Sequence, residues 1–485
     1  MSKSTTKHPR SLIIFCGTEL WERYGFYAVQ SLLALYLTQF FSWPDDRIYN
    51  LVGTFTALTY LSPVIGGWIA DRLIGQKYAV IVGSIFLCGS YLLLSMSHDT
   101  HSLPISLACI AIGTGLIKPN ISAMLGNEYD VDSPYRERGF TLFYMGITTG
   151  IILGTTLPSI LTWYFNWSAA FISGAIGMVF ALILFVVGCQ IFKIRNRLQQ
   201  PFELINGFYA FVLLALSGVI FWFILSTPTF AASTFAIIFL GSIAYLIQSI
   251  RTDSKHQAKL TMIICCLCCI SILFWAFYFQ MFTSLTLFIE RVVMPDVFGV
   301  QFPPPYYVSI QSVGMLFFGL ILTRNRRKLS VQEVAKRTNV KFFLAMICMS
   351  LAYLFITWVC YRSVMSIDKI QPLLIIPAYL LISIAELLLS PVGLAAITTL
   401  ASKSHVSTMM GIFFVSLGLG GYLSGILATF TAVNYHPNSP LMIVKMHYLD
   451  SFNLLSFIMF IATVFSFIFF RLINKIILAM DSSEI

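Results

Sequence analysis

The sequence predicts an all-α polytopic membrane protein: two six-helix bundles with two further helices inserted between them, fourteen transmembrane helices in all. Three observations carry this prediction. The 485 residues are 58% hydrophobic and only 10% charged, with a mean hydropathy of +0.84, more apolar surface than a soluble globule can hide. The apolar residues gather into fourteen stretches long enough to span a bilayer, each bounded by polar or Pro/Gly-rich breaks. Finally, the basic residues are distributed asymmetrically among the connecting segments.

In order, the stretches run approximately 11–40, 46–71, 78–97, 103–126, 137–163, 167–192, 203–225, 229–250, 258–290, 303–323, 341–362, 371–402, 406–433 and 450–475. An even number puts both termini on one side. With that side cytoplasmic, and with cations near a span's end counted with the adjoining segment, 23 of the 30 Lys and Arg fall on the inside, 5 on the outside and 2 (Arg23, Lys118) within the membrane. The positive-inside rule requires this bias, and it accounts for the net charge of +10 without invoking nucleic acid. The inner set includes KIRNR at 193–197 and RNRRK at 324–328, the latter suited to anionic lipid. The basic start, MSKSTTKHPR, lacks a cleavage site, so no cleavage is expected. The chain then reads as an N-terminal bundle over 1–198, an inserted pair over 199–255 and a C-terminal bundle over 256–485. The inserted spans are bland and suit lipid-facing helices. Cys265, Cys266, Cys268 and Cys269 lie inside a span without a nearby His or carboxylate and read as small buried hydrophobes, with no metal site or disulfide framework.

The first span holds TELWERYGFYAVQ at 18–30, with Glu19, Glu22 and Arg23. On a helix these fall at i, i+3 and i+4, and Tyr27 and Gln30 continue the stripe. A charge at the centre of a membrane helix costs roughly 2.5–3.5 kcal/mol, so these groups must pair and face protein or water. Glu19 and Arg23 suit an i,i+4 salt bridge that locks packing. That bridge leaves Glu22 unexplained, because one cation does not neutralise two carboxylates. A packing bridge and a proton-coupling site both remain open, and the surplus carboxylate favours the second.

The second span ends in GGWIADRLIGQK at 66–77. Gly66 and Gly67 permit close helix approach, and Asp71, Arg72, Gly75 and Lys77 form a charged turn. This order resembles the loop signature of the major facilitator superfamily, whose fold has two six-helix bundles. Two lone intramembrane charges follow. Lys118, in GLIKPN, precedes Pro119, which removes a backbone donor to the Gly115 carbonyl. Glu386, in AELLLSPVGL, has Ser390 one turn on. Either they form static buried pairs, or Lys118 and Glu386 form a gate salt bridge between the halves.

Taken together, Glu19-Leu-Trp-Glu22-Arg23-Tyr24-Gly-Phe26-Tyr27, GLIKPN, FTLFYMGITTG at 140–150, AELLLSPVGL and MMGIFFVSLG at 409–418 resemble the proton-dependent oligopeptide transporter family, bacterial type with its extra helix pair. The resemblance spans nearly the whole chain. It implies a symporter, not an enzyme, that imports di- and tripeptides by alternating access across the bacterial inner membrane, driven by protons. No cofactor other than the coupling proton, and no metal, is implied, and a monomer is expected to suffice. Proton coupling falls on Glu19, Glu22 and Arg23, and peptide contact on Tyr27, Tyr60, Lys118, Glu386 and Ser390. The chain departs from the family at several positions. Gln30 stands where many members carry arginine, and Phe279, followed by Gln280, where many carry glutamate; Thr148, Gln311 and Phe413 replace two asparagines and a tryptophan. Losing both charges together avoids stranding one.

A peptide zwitterion offers a carboxylate to Lys118 and an ammonium to Glu386, while Tyr27, Tyr60, Gln311 and Phe413 accept varied side chains. A carrier of another small anionic or peptide-like metabolite would keep the same scaffold, and Gln30 leaves that reading open. An intramembrane enzyme is disfavoured: the histidines (His8, His98, His101, His256, His405, His436, His447) fall in loops or near span ends, and neither HExxH nor GxSG occurs. SLGLGGYLSG at 416–425 mimics a dinucleotide loop but lies within a span, where small-residue packing explains it.

Overall fold

Apolar stretches bounded by good caps become helices, and helices make up almost the whole chain. The computed structural model describes residues 8–97, 99–130, 133–198, 203–322, 330–402, 405–433 and 439–481. The run at 324–328, His98 and His436 lie outside the described residues. The helices are α1 (Leu12–Gln39), α2 (Asp45–Ile69), α3 (Gln76–Ser95), α4 (Ser102–Asn127), α5 (Pro134–Tyr164), α6 (Trp167–Ile191), α7 (Leu204–Ser226), α8 (Pro228–Thr252), α9 (Lys255–Tyr278), α10 (Ser284–Val292), α11 (Pro305–Leu322), α12 (Val331–Val364), α13 (Ile376–Leu400), α14 (Val406–Thr429) and α15 (Leu441–Asp481). A single 3₁₀ turn, Phe279–Phe282, joins α9 to α10 within one span, and a two-stranded hairpin (β1 Asp296–Val297, β2 Val300–Gln301) follows.

Among the described residues, twelve segments are long and apolar enough to cross a membrane. α1 has the length but carries Glu19, Glu22 and Arg23, and α11 has a shorter apolar core, Pro305–Ile321. With these two, the predicted fourteen spans are all helical. The differences lie at the ends. α12 begins at Val331, ten residues before the predicted span, because Ser330 and Glu333 form a capping box: Ser330 Oγ accepts from Glu333 N at 3.2 Å and Glu333 Oε2 from Ser330 N at 2.9 Å. α15 likewise starts nine residues early, at Leu441. Side-chain caps also start α6, where Asn166 Oδ1 accepts from Ala169 N at 2.9 Å, and α9, where Ser254 Oγ accepts from Gln257 N at 3.3 Å.

By mutual packing the chain divides into two units, Met1–Leu33 with Leu58–Ala231, and Ala34–Ala57 with Ala232–Ile485. The inserted helices fall one to each. α7 packs on α4 in the first unit. In the second, α8 sets Phe235 against Tyr422 (centroids 4.4 Å apart), and the Tyr245 hydroxyl hydrogen-bonds His405 Nδ1 at 2.7 Å. Only 17% of the apolar stretch of α8 is buried, against 72% of that of α4, as expected for a lipid-facing helix.

Close approach in the first unit depends on missing side chains. On α5, Gly146, Gly150 and Gly154 lie against the α1 backbone: a Cβ on Gly150 would sit 2.3 Å from Leu20 O and 2.8 Å from Arg23 Cβ. On α2, a Cβ on Gly66 would sit 2.1 Å from Gly115 O. Pro119 cannot bond that carbonyl, so the glycine lets α2 close over the place where the α4 ladder is interrupted.

Candidate functional site

α1 turns Glu19, Glu22 and Arg23 inward, where they are 2%, 0% and 5% exposed. Arg23 Nε bonds Glu22 Oε2 and lies 3.4 Å from Glu19 Oε1, and the guanidinium sits 5.1 Å from the Phe26 ring centroid. The residues that the sequence set on one stripe are therefore one cluster. It is not fully satisfied internally. Glu19 Oε2, Glu22 Oε1, Arg23 Nη2 and Thr18 Oγ1 are buried with no hydrogen-bond partner among the described residues.

Lys118 on α4 changes the charge arithmetic. Its Nζ lies 4.4 Å from the Tyr60 ring centroid, a cation–π contact, and it is within electrostatic reach of Glu19, Glu22 and Arg23. The sequence counted one cation against two carboxylates, whereas the fold brings a second to the same cluster. Tyr91 on α3 was not legible in the sequence. It is fully buried, interacts electrostatically with Glu22 and Arg23, and fits because Gly25 leaves room for its ring: a Cβ there would sit 2.6 Å from it. Of the remaining residues in this unit, Tyr27 is half-buried and edge-on to Phe26, Gln30 is buried on the same stripe, and Thr148 Oγ1 bonds Tyr144 O at 3.0 Å on its own helix.

In the second unit Glu386 is half-buried on α13. Its Oε2 accepts from Gln311 Nε2 at 2.5 Å and from the Tyr278 hydroxyl at 3.0 Å. Gln311 and Glu386 thus meet as a pair, with Tyr278 as a third member that the sequence did not single out. Tyr278 immediately precedes Phe279, which is buried and stacked on Trp275 at 5.2 Å. Ser390 is half-buried one turn beyond Glu386, and the Phe413 ring packs over Gly393, where a Cβ would meet it at 2.6 Å. The SLGLGGYLSG run is helical packing: a Cβ on Gly420 would meet Trp275 Cβ at 2.5 Å.

The turn after α2 is held by Gly75, whose φ of +86° favours glycine and whose N–H bonds Ala70 O at 2.8 Å. Asn196 occupies the space beside it, donating to Ile74 O at 2.9 Å and accepting from Lys77 N at 3.0 Å. Gly67 lies in ordinary contact with Pro119. Asp71 and Arg72 are exposed, and Arg72 reaches back over the Trp68 ring.

One buried charge pair was not anticipated. Arg291, read from the sequence as an outer-loop residue, makes a bidentate salt bridge to Asp45, with Nη1 and Nη2 each 2.6 Å from a carboxylate oxygen. The two residues are 246 positions apart, so no local pattern could have linked them.

The profile of the POT family matches residues 77–442. The dipeptide and tripeptide permease A of Pectobacterium carotovorum subsp. carotovorum (strain PC1) is 28% identical over 440 residues, 89% of this chain and 85% of the permease. Among solved structures, a bacterial homologue of the human drug peptide transporters PepT1 and PepT2 superimposes with a TM-score of 0.83 at 23% identity, covering 96% of this chain and 99% of that one. A mutant of the peptide transporter POT in complex with alafosfalin gives 0.81 at 24% identity, covering 98% and 96%.

Proposed function

The chain belongs to the POT family and has its two six-helix bundles with an inserted helix pair; from that premise we propose that it is a proton-coupled symporter importing di- and tripeptides by alternating access. The observation that carries this reading is the buried cluster of Glu19, Glu22 and Arg23 with Lys118 within electrostatic reach. Two carboxylates, each with a buried oxygen lacking a partner among the described residues, can take and release a proton inside the bilayer, and Lys118 offers the cation that a peptide carboxylate seeks. Tyr60 holds that cation from below, and Tyr27 continues the stripe along α1. In the other unit Glu386, oriented by Gln311 and Tyr278, receives the peptide ammonium, with Ser390 one turn further along α13 and Phe413 packed on Gly393 of the same helix. The carrier performs no covalent step, needs no metal, sits in the bacterial inner membrane with both termini cytoplasmic, and works as a monomer.

The test is uptake by the purified protein in proteoliposomes, using a panel of peptides with and without an imposed inward proton gradient. Accumulation of di- and tripeptides only with the gradient is the expected result. No peptide uptake and no competition by dialanine, with transport of some other small anion, would give the function to a different substrate on the same scaffold. Lys118→Gln should cripple uptake of free-acid dipeptides and penalise C-terminally amidated ones much less. A hydrogen bond to a charged group contributes roughly 1.5–3 kcal/mol, and Gln30 can donate but not neutralise. Equal losses for acid and amide would assign Lys118 to gating alone.

A further inference from the structure

α12 and α15 are the most closely packed helices of the second unit, and their contacts fix an antiparallel register. Thr357 bonds Ser456, Met346 O accepts from Thr463, and Asn339 Nδ2 donates to Phe470 O at 3.0 Å and Asn474 Oδ1 at 3.1 Å. The start of α12 therefore lies beside the last turns of α15.

Of the exposed cations at this end of the pair, which include Arg337 and Lys341, three share the faces that carry Phe343 and Phe467. Lys336 on α12 and Arg471 and Lys475 on α15 are exposed, and the last two are one helical turn apart. Among the described residues no carboxylate lies within salt-bridge distance of any of them. The nearby Glu333 is occupied in capping α12. Toward the middle of both helices the same faces become aromatic. Phe343 stacks on Phe470 at 5.2 Å and meets Phe467 at 5.6 Å, and Phe467 is 44% exposed. Leu472, beside Arg471, and Leu478, beyond Lys475, are exposed on the same stretch of α15. Cations without a carboxylate partner among the described residues, next to exposed apolar side chains and an aromatic platform on spanning helices, fit a molecule with an anionic head and an apolar tail.

We propose that this face binds an anionic phospholipid, its phosphate among Lys336, Arg471 and Lys475 and an acyl chain against Phe343 and Phe467. Asn474, whose oxygen is taken by Asn339, keeps an amide donor for the headgroup. The site involves none of the residues assigned to peptide or proton, so its test is independent of the transport reading.

The experiment is native mass spectrometry of the full-length protein in neutral detergent, titrated separately with phosphatidylglycerol and phosphatidylcholine. Wild type should bind one phosphatidylglycerol in preference to phosphatidylcholine. Lys336→Gln/Arg471→Gln/Lys475→Gln should lose that preference, roughly 100-fold at about fivefold per cation. Phe467→Ser should also weaken phosphatidylglycerol binding. A control variant neutralising three exposed cations elsewhere, Lys193→Gln/Arg195→Gln/Arg251→Gln, should bind like wild type. Unchanged binding in the first triple variant, or an equal loss in the control, would overturn the site in favour of general charge attraction. No effect of Phe467→Ser would overturn the acyl contact.

Discussion

Replacing Asp45 alone should destabilise the protein more than replacing Asp45 and Arg291 together. Both charges are buried, with side chains 3% and 4% exposed, and the guanidinium reaches the carboxylate through two bonds of 2.6 Å. Val433 N adds a bond to Asp45 at 2.9 Å, and Arg291 donates to the Tyr448 hydroxyl at 3.0 Å. In Asp45→Ala the cation keeps only the Tyr448 bond of these, and removing one partner of a buried pair costs roughly 3–5 kcal/mol. In Asp45→Ala/Arg291→Met no charge is stranded, and methionine fills much of the arginine stem volume. What remains is the lost pairing of the Val433 N–H and the Tyr448 hydroxyl, about 1–3 kcal/mol each where no water reaches them. The losses of the two single variants should therefore sum to well above that of the double. The assay is thermal unfolding in one detergent for wild type, both singles and the double, read as a double-mutant cycle. A double variant whose loss equals the sum of the singles would show that the two charges do not support one another.

Other perturbations follow from the proposed function and from the packing. Glu22→Gln should abolish gradient-driven peptide accumulation while leaving counterflow measurable, since exchange needs no net proton movement; retained accumulation would remove Glu22 from proton coupling. Gly66→Val should sharply lower the yield of folded protein by driving α2 off α4, because even a methyl group would lie 2.1 Å from Gly115 O, whereas Gly67→Ala, with only ordinary contacts at 3.8 Å, should express normally. Comparable yields would show that the Gly66 contact is not limiting.

The sequence made the spans legible because an apolar run of bilayer length has few alternatives, and each predicted span is helical. It also exposed the α1 stripe, since three charges at i, i+3 and i+4 are visible without a fold. Partners that arrive from elsewhere in the chain were not visible. Tyr91 and Tyr278 look like ordinary aromatic residues of apolar spans, and only packing brings one toward Glu22 and the other to Glu386. Arg291 stood at the end of a span and counted among outer-loop cations, yet its side chain turns inward to Asp45. The early start of α12 was written in the sequence as Ser330-x-x-Glu333, a capping box that a search keyed to hydropathy passes over.

The second cation at the α1 cluster links substrate to proton on the proposed function. With Glu19 and Glu22 both ionised, Arg23 and Lys118 together balance them. A peptide carboxylate that engages Lys118 draws that cation's field away and leaves two carboxylates with one guanidinium. That is the imbalance the α1 sequence suggested when read alone, and it favours proton uptake. By linkage the effect is reciprocal, so a proton already on the cluster frees Lys118 for the peptide. The buried oxygens of Glu19 and Glu22 that lack a partner among the described residues then serve the loaded state, and the Tyr60 ring beside the lysine keeps the cation in place in both states. On this argument Lys118 and Glu22 are two ends of one coupling. Peptide uptake in Lys118→Gln should accordingly lose its response to the proton gradient, as in Glu22→Gln, although the lysine itself carries no transported proton.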